Sequence, residues 1–94
     1  MHMTNQTIRN LEIVNEKGLH ARASARLVEV VEAHDAQAEV SKDGQNTSGD
    51  SIMGLLMLAA SKGTIIEIQT SGAEAMKLAD ALEALVADKF GEEC

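Results

Sequence analysis

The feature that most restricts the fold is a repeated switch of apolar period between glycines that fall singly along the chain. Leu11 and Ile13 alternate with Glu12 and Val14, a period of two that predicts a strand beginning near Thr7 and stopped by Lys17-Gly18. From Ala21 to Ala33 the period turns helical. Ser24, Leu27, Val28 and Val31 share one stripe and Arg22, Arg26, Glu29 and Glu32 the other. Ala36, Ala38 and Val40 then alternate with Gln37, Glu39 and Ser41 up to Asp43-Gly44. That dipeptide tolerates both positive φ angles of a type I′ hairpin, so a second strand returns through Asn46 to Ser48. Asp50-Ser51 supplies caps for a short, largely apolar helix from Ile52 to Leu58, with Gly63 expected to close its exit. Thr64 to Thr70 alternates with Ile66 and Ile68 inward, and Ser71-Gly72 ends it. A last helix from near Ala73 keeps Ala75, Leu78, Ala79, Leu82, Leu85 and Val86 at helical spacing.

The order strand, helix, strand, strand, helix, strand, helix, with one apolar face per strand, predicts an α+β open-faced sandwich. Its sheet has four strands, mostly antiparallel, with three helices on one face. Ninety-four residues make one domain, 1–94, with a core over about 7–90 and flexible ends at 1–6 and 91–94. A net charge of −7, with one Phe, no Tyr and no Trp, argues against a nucleic-acid partner. The longest apolar run, Ile52 to Ala60, is far short of the ~20 residues that span a bilayer. The first ten residues hold no secretory signal, and the single Cys94 forms no internal disulfide, so a cytoplasmic monomer is expected.

One segment, Lys17-Gly18-Leu19-His20-Ala21-Arg22, joins a nucleophile to a helix start and to local positive charge. Between Lys17 and Val28 lie three bases and no acid, which reads as an anion site. The first-turn N–H groups at Ala21, Arg22 and Ala23 have no partner within the helix, and the helix dipole is positive there. The same field favours a neutral imidazole able to attack phosphorus, and the product phosphate would meet those N–H groups and Arg22. The bland alternative is a solvated histidine beside ordinary surface charges. Against it, Arg22 and Arg26 at i and i+4 repel, a cost a purely structural helix need not carry. His34 and His2 make no ligand cluster with His20, so no metal is expected. No nucleophile elbow is present, which argues against a hydrolase.

Ser51 reads either as a helix cap or as a phosphorylation switch beside an apolar surface. Around the second helix, Leu55 and Leu58 facing the core would leave Ile52, Met53 and Leu56 outside as a docking patch; the alternative is a more deeply buried helix.

Both motifs together resemble the histidine-containing phosphocarrier proteins, HPr, of bacterial phosphoenolpyruvate-dependent phosphotransferase systems, including the nitrogen-related branch, NPr. The likeness runs from about Thr7 to Phe90. Lys17 to Arg22 is similar to the family's active-centre signature and Asp50-Ser51-Ile52-Met53-Gly54 to its regulatory-serine segment. The resemblance implies a stoichiometric carrier rather than an enzyme, without a cofactor. His20 would take a phosphoryl group on Nδ1 from Enzyme I and pass it to an enzyme IIA-type protein, in sugar transport or nitrogen and carbon regulation. Arg22 would stabilise the phosphoryl group; Ile52, Met53 and Leu56, with Arg26, would dock partners; Ser51 matches the serine that HPr kinase/phosphorylase modifies in some lineages. The family usually carries Pro then Ala after the arginine, where this chain has Ala23 and Ser24. Alanine is an excellent helix former, so the helix is expected to persist. The competing reading is a non-catalytic regulatory binding module of the same architecture, controlled through Ser51.

Overall fold

Alternation at period two decides which strands build the core. Val40, Ile66, Ile68 and Thr70 are buried, while their neighbours Glu39, Ile65 and Glu67 are exposed on the open face. These residues belong to a computed structural model describing residues 5–94, so the expectation for 1–4 lies outside the described residues. Its elements are β1 (Gln6–Glu12), α1 (Ala21–Glu32), β2 (Gln37–Lys42), β3 (Gln45–Ser48), α2 (Ile52–Met57), β4 (Ile65–Ser71) and α3 (Ala75–Ala87). A single 3-10 turn, Lys89–Gly91, follows.

The expected α+β architecture is present: one sheet in the order β1-β4-β2-β3, with every neighbouring pair antiparallel. β4 lies between β1 and β2, pairing Ile66 with Leu11 on one side and Ile68 with Val40 on the other. The helices cover one face, and Leu27, Val31, Leu55, Leu78, Leu82 and Val86 join the strand residues in one core cluster. Asp43 and Gly44 turn β2 into β3 at φ 51° and 83°, as the Asp-Gly pair requires.

Four local expectations are corrected. The first strand stops at Glu12, and Ile13 instead exchanges backbone bonds with the 63–64 turn, donating to Thr64 O and accepting from Gly63 N–H. β3 has no apolar face: Gln45, Asn46 and Ser48 are exposed, as suits a sheet edge. The exit of α2 is made by Ala59 at φ 52°, whereas Gly63 at φ 90° serves the turn into β4. The last helix begins at Ala75 rather than Ala73 because Gly72 and Ala73 form the preceding turn, whose Ala75 N–H bonds Gly72 O.

The far end carries a larger correction. Phe90, the only aromatic residue, is fully buried in the core cluster and brings the following residues back over the loop before α1. Residues 91–94, expected as a flexible end, are tied there: Glu16 N–H donates to Cys94 O (2.7 Å), and Asn15 Nδ2 to Glu92 Oε1 (2.9 Å).

Candidate functional site

The position of His20 is set by a loop that the core holds from beneath. Leu19 is buried and its N–H donates to Ala60 O (2.9 Å); Gly18, at φ 65°, lies so close that a Cβ would sit 2.4 Å from the same oxygen. Only glycine fits that approach and that φ. Asn15, fully buried, spans the loop by donating from Nδ2 to Gly18 O (2.9 Å).

His20 is then the N-cap of α1. Its backbone is extended, its carbonyl accepts the first helical bond from Ser24 N–H (2.8 Å), and its Nδ1 accepts from Arg22 N–H (3.3 Å). The substitution of Ala23 for the usual proline leaves the helix intact: Ala23 and Ser24 are buried, and Ser24 Oγ donates to Leu19 O (3.3 Å). Arg22 and Arg26 are exposed and make no ion pair among the described residues. With Lys17, Ala21 and Gly91 they line a depression of about 670 Å3 that opens over His20. Arg26 lies against Gly91, where a Cβ would stand 3.3 Å from its guanidinium.

The same depression corrects the all-basic character expected of this segment. Glu92 enters from the far end of the chain and its Oε2 meets His20 Nε2, while its Oε1 takes the bond from Asn15. Burial alone would raise the Glu92 carboxyl. The hydrogen bonds from Asn15 and His20, with the nearby charge of Lys17, outweigh that and hold it below the usual carboxylate range. Sequence reasoning missed Glu92 because 72 positions separate it from His20. The available signal was a lone Phe followed by Gly and two acids just past a helix.

Ser51 and the residues after it form a second helix start, outside the depression around His20. Ser51 Oγ accepts from Gly54 N–H (3.0 Å), the cap expected of it. Leu55 and Leu58 are buried; Ile52 and Met53 are 41% and 69% exposed and Leu56 is half-buried. Met57, 74% exposed, enlarges this apolar surface and was not foreseen. α2 packs on α1, so both helix starts belong to one rigid layer. His34 sits at the other end of α1, where its Nδ1 bonds Val30 O (2.7 Å). No cluster of metal-ligating side chains occurs among the described residues, and no helix there is long and apolar enough to cross a membrane.

The family model of the PTS HPr component phosphorylation site matches residues 8–88, a span that includes His20 and both unpaired arginines. The chain belongs to the HPr family. It is 43% identical over 83 residues to the phosphocarrier protein HPr of Neisseria meningitidis, covering 88% of this chain and 93% of that protein. Identity to the phosphocarrier protein NPr of Shewanella violacea is 37% over 84 residues, covering 89% and 92%. The fold agrees. The crystal structure of HPr-C-His from Thermoanaerobacter tengcongensis superposes with a TM-score of 0.89 at 34% identity, covering 94% of this chain and 99% of that one. As a member of the HPr family, the protein is a phosphocarrier of the phosphotransferase system.

Proposed function

We propose that His20 accepts a phosphoryl group on Nδ1 from Enzyme I, charged by phosphoenolpyruvate, and passes it to an enzyme IIA-type protein. The observation that carries this reading is Nδ1 itself: it already accepts from the first-turn N–H of Arg22, so its lone pair points to the anion-favouring end of α1. The lone pair attacks phosphorus, the Nδ1–P bond forms, and the donor's bond to phosphorus breaks with its electron pair returning to the donor. The 3.3 Å bond from Arg22 N–H is long and readily given up. That N–H, those of Ala21 and Ala23, and the Arg22 guanidinium then receive the phosphoryl oxygens. Transfer onward reverses the step on a partner, so the protein turns over nothing alone and needs no cofactor. Catalysis comes from positioning across a transient interface.

Ile52, Met53 and Leu56 on α2, with Arg26 on α1, form the partner-docking surface; the exposure of Ile52, Met53 and Arg26 and the packing of α2 on α1 support it. Ser51 is the regulatory position, through an HPr kinase/phosphorylase where one exists: a phosphate there adds ~1.5 to 2 negative charges to the start of α2, next to that apolar surface. The carrier acts as a cytoplasmic monomer, in sugar transport or nitrogen and carbon regulation.

Intact-mass analysis after incubation with phosphoenolpyruvate, magnesium and Enzyme I tests this reading. An acid-labile phosphoryl group on the wild type and none on His20→Ala is expected. No addition to the wild type, with an Enzyme I proven active on another carrier, would leave the non-covalent regulatory module as the better account.

A further inference from the structure

Two contacts on one imidazole agree about where its proton lies. Arg22 N–H donates to Nδ1, so Nδ1 carries a lone pair. On the other side Nε2 meets Glu92 Oε2, and an ionised carboxylate only accepts, so Nε2 carries the hydrogen. The carboxylate is itself fixed. Its second oxygen is held by Nδ2 of Asn15, a fully buried side chain whose other bond runs to Gly18 O in the loop that presents His20.

The chain Gly18, Asn15, Glu92, His20 is therefore a closed circuit that begins and ends at the active-centre loop. Glu92 is held below the usual carboxylate range, in keeping with an ionised partner. Phe90, buried two residues earlier, anchors the backbone that carries it. Oriented this way, a carboxylate does for an imidazole what an outer-shell carboxylate does for a metal-bound one: it selects the tautomer and fixes the ring plane.

We propose that Glu92 is a positioning residue for phosphoryl transfer at His20, holding the imidazole with its hydrogen on Nε2 and its lone pair on Nδ1. The inference rests on the phosphoryl-acceptor reading of His20 above. As Nδ1 bonds to phosphorus and the donor's bond breaks, Nε2 keeps its hydrogen and the ring becomes cationic. The Glu92 carboxylate faces that charge, so the contact strengthens as the reaction proceeds. Glu92 touches neither the phosphoryl group nor the attacking nitrogen; it acts through the ring.

The test compares wild type, Glu92→Ala and Glu92→Gln in two measurements. The first, on unphosphorylated protein, is the nitrogen-15 NMR signature of the His20 ring, with the exchange protection of its Nε2 proton. The second is the rate of phosphoryl acceptance at saturating Enzyme I. Wild type should show a protected Nε2 proton. Glu92→Ala should lose that protection and slow acceptance about tenfold, the lower end of what losing an outer-shell partner costs, with little change in KM. Glu92→Gln keeps an acceptor oxygen without the charge, so it should retain the ring signature and recover part of the rate.

An alanine variant matching wild type in both measurements overturns the proposal. So does one that is slow with an unchanged ring signature, and so does a glutamine variant as slow as alanine. A wild type that takes no phosphoryl group sinks the carrier reading and any role of Glu92 in transfer. The ring signature would still show separately whether Glu92 holds the imidazole.

Discussion

The two helix starts of this protein use the same device for opposite ends. At α1 the cap is His20, bonded to the N–H two residues on at 3.3 Å; at α2 it is Ser51, bonded three residues on at 3.0 Å. The first cap is long and surrounded by Lys17, Arg22, Arg26 and Glu92, all lining an open depression. The second is short and packed: a Cβ on Gly54 would lie 1.9 Å from Thr47 Oγ1. On the phosphoryl-acceptor reading proposed above, the looser cap suits a side chain that has to leave it to react, and the tighter one suits a side chain whose resting task is to close a helix. The difference lies in the surroundings more than in the caps, since both residues sit at a helix N-terminus with its positive dipole.

The largest expected effect separates the two starts outright. His20→Ala should abolish the acid-labile phosphoryl adduct, while Ser51→Ala should form it normally; an adduct on His20→Ala would break the contrast. Gly54→Ala comes next. Pressing a methyl into Thr47 should lower stability by about 1–3 kcal/mol, read as a shifted urea midpoint at unchanged slope. Ser51→Ala should cost about 1 kcal/mol by the same measurement, as loss of a good N-cap does.

The smallest effect is one of pH. Glu92 has a lower pKa folded than unfolded, so its contribution is complete above the ordinary carboxylate range and is lost as pH falls through the folded value. The melting-temperature advantage of wild type over Glu92→Gln should therefore be greatest near neutral pH and shrink in acid. A constant difference from about pH 7 to about pH 3 would show that Glu92 gains nothing from its charge.

Much of this organisation was legible where a residue's neighbours in sequence decide its role. The stripe Ser24, Leu27, Val28 and Val31 is buried as its spacing requires, and Asp43-Gly44 turns where its backbone freedom allows. Ser51 caps α2 for the reason Ser is a common cap. What escaped depends on packing between distant segments. Ala59 ends α2 in a left-handed conformation that alanine seldom adopts, and local propensity pointed instead to Gly63. His20 stood out as a helix-start histidine in the segment from Lys17 to Arg22, but its partner Glu92 did not, because Phe90 in the core is what returns that part of the chain to the loop. Charge counted along a segment misleads in the same way: the stretch from Lys17 to Val28 holds no acid, yet the finished depression contains Glu92 and Glu93.

The position of β4 between β1 and β2 has a kinetic consequence. β1 and β2 share no ladder with each other, so the strand that leads into the His20 loop stays unpaired until a segment more than fifty residues later inserts beside it. Closing that loop comes before most of the sheet's reward, and neither half of the sheet is a stable stopping point. Folding should thus be a single cooperative event. The amides of β4 should exchange with solvent only as fast as the whole molecule unfolds, and those of β3, bonded along one edge alone, well before them.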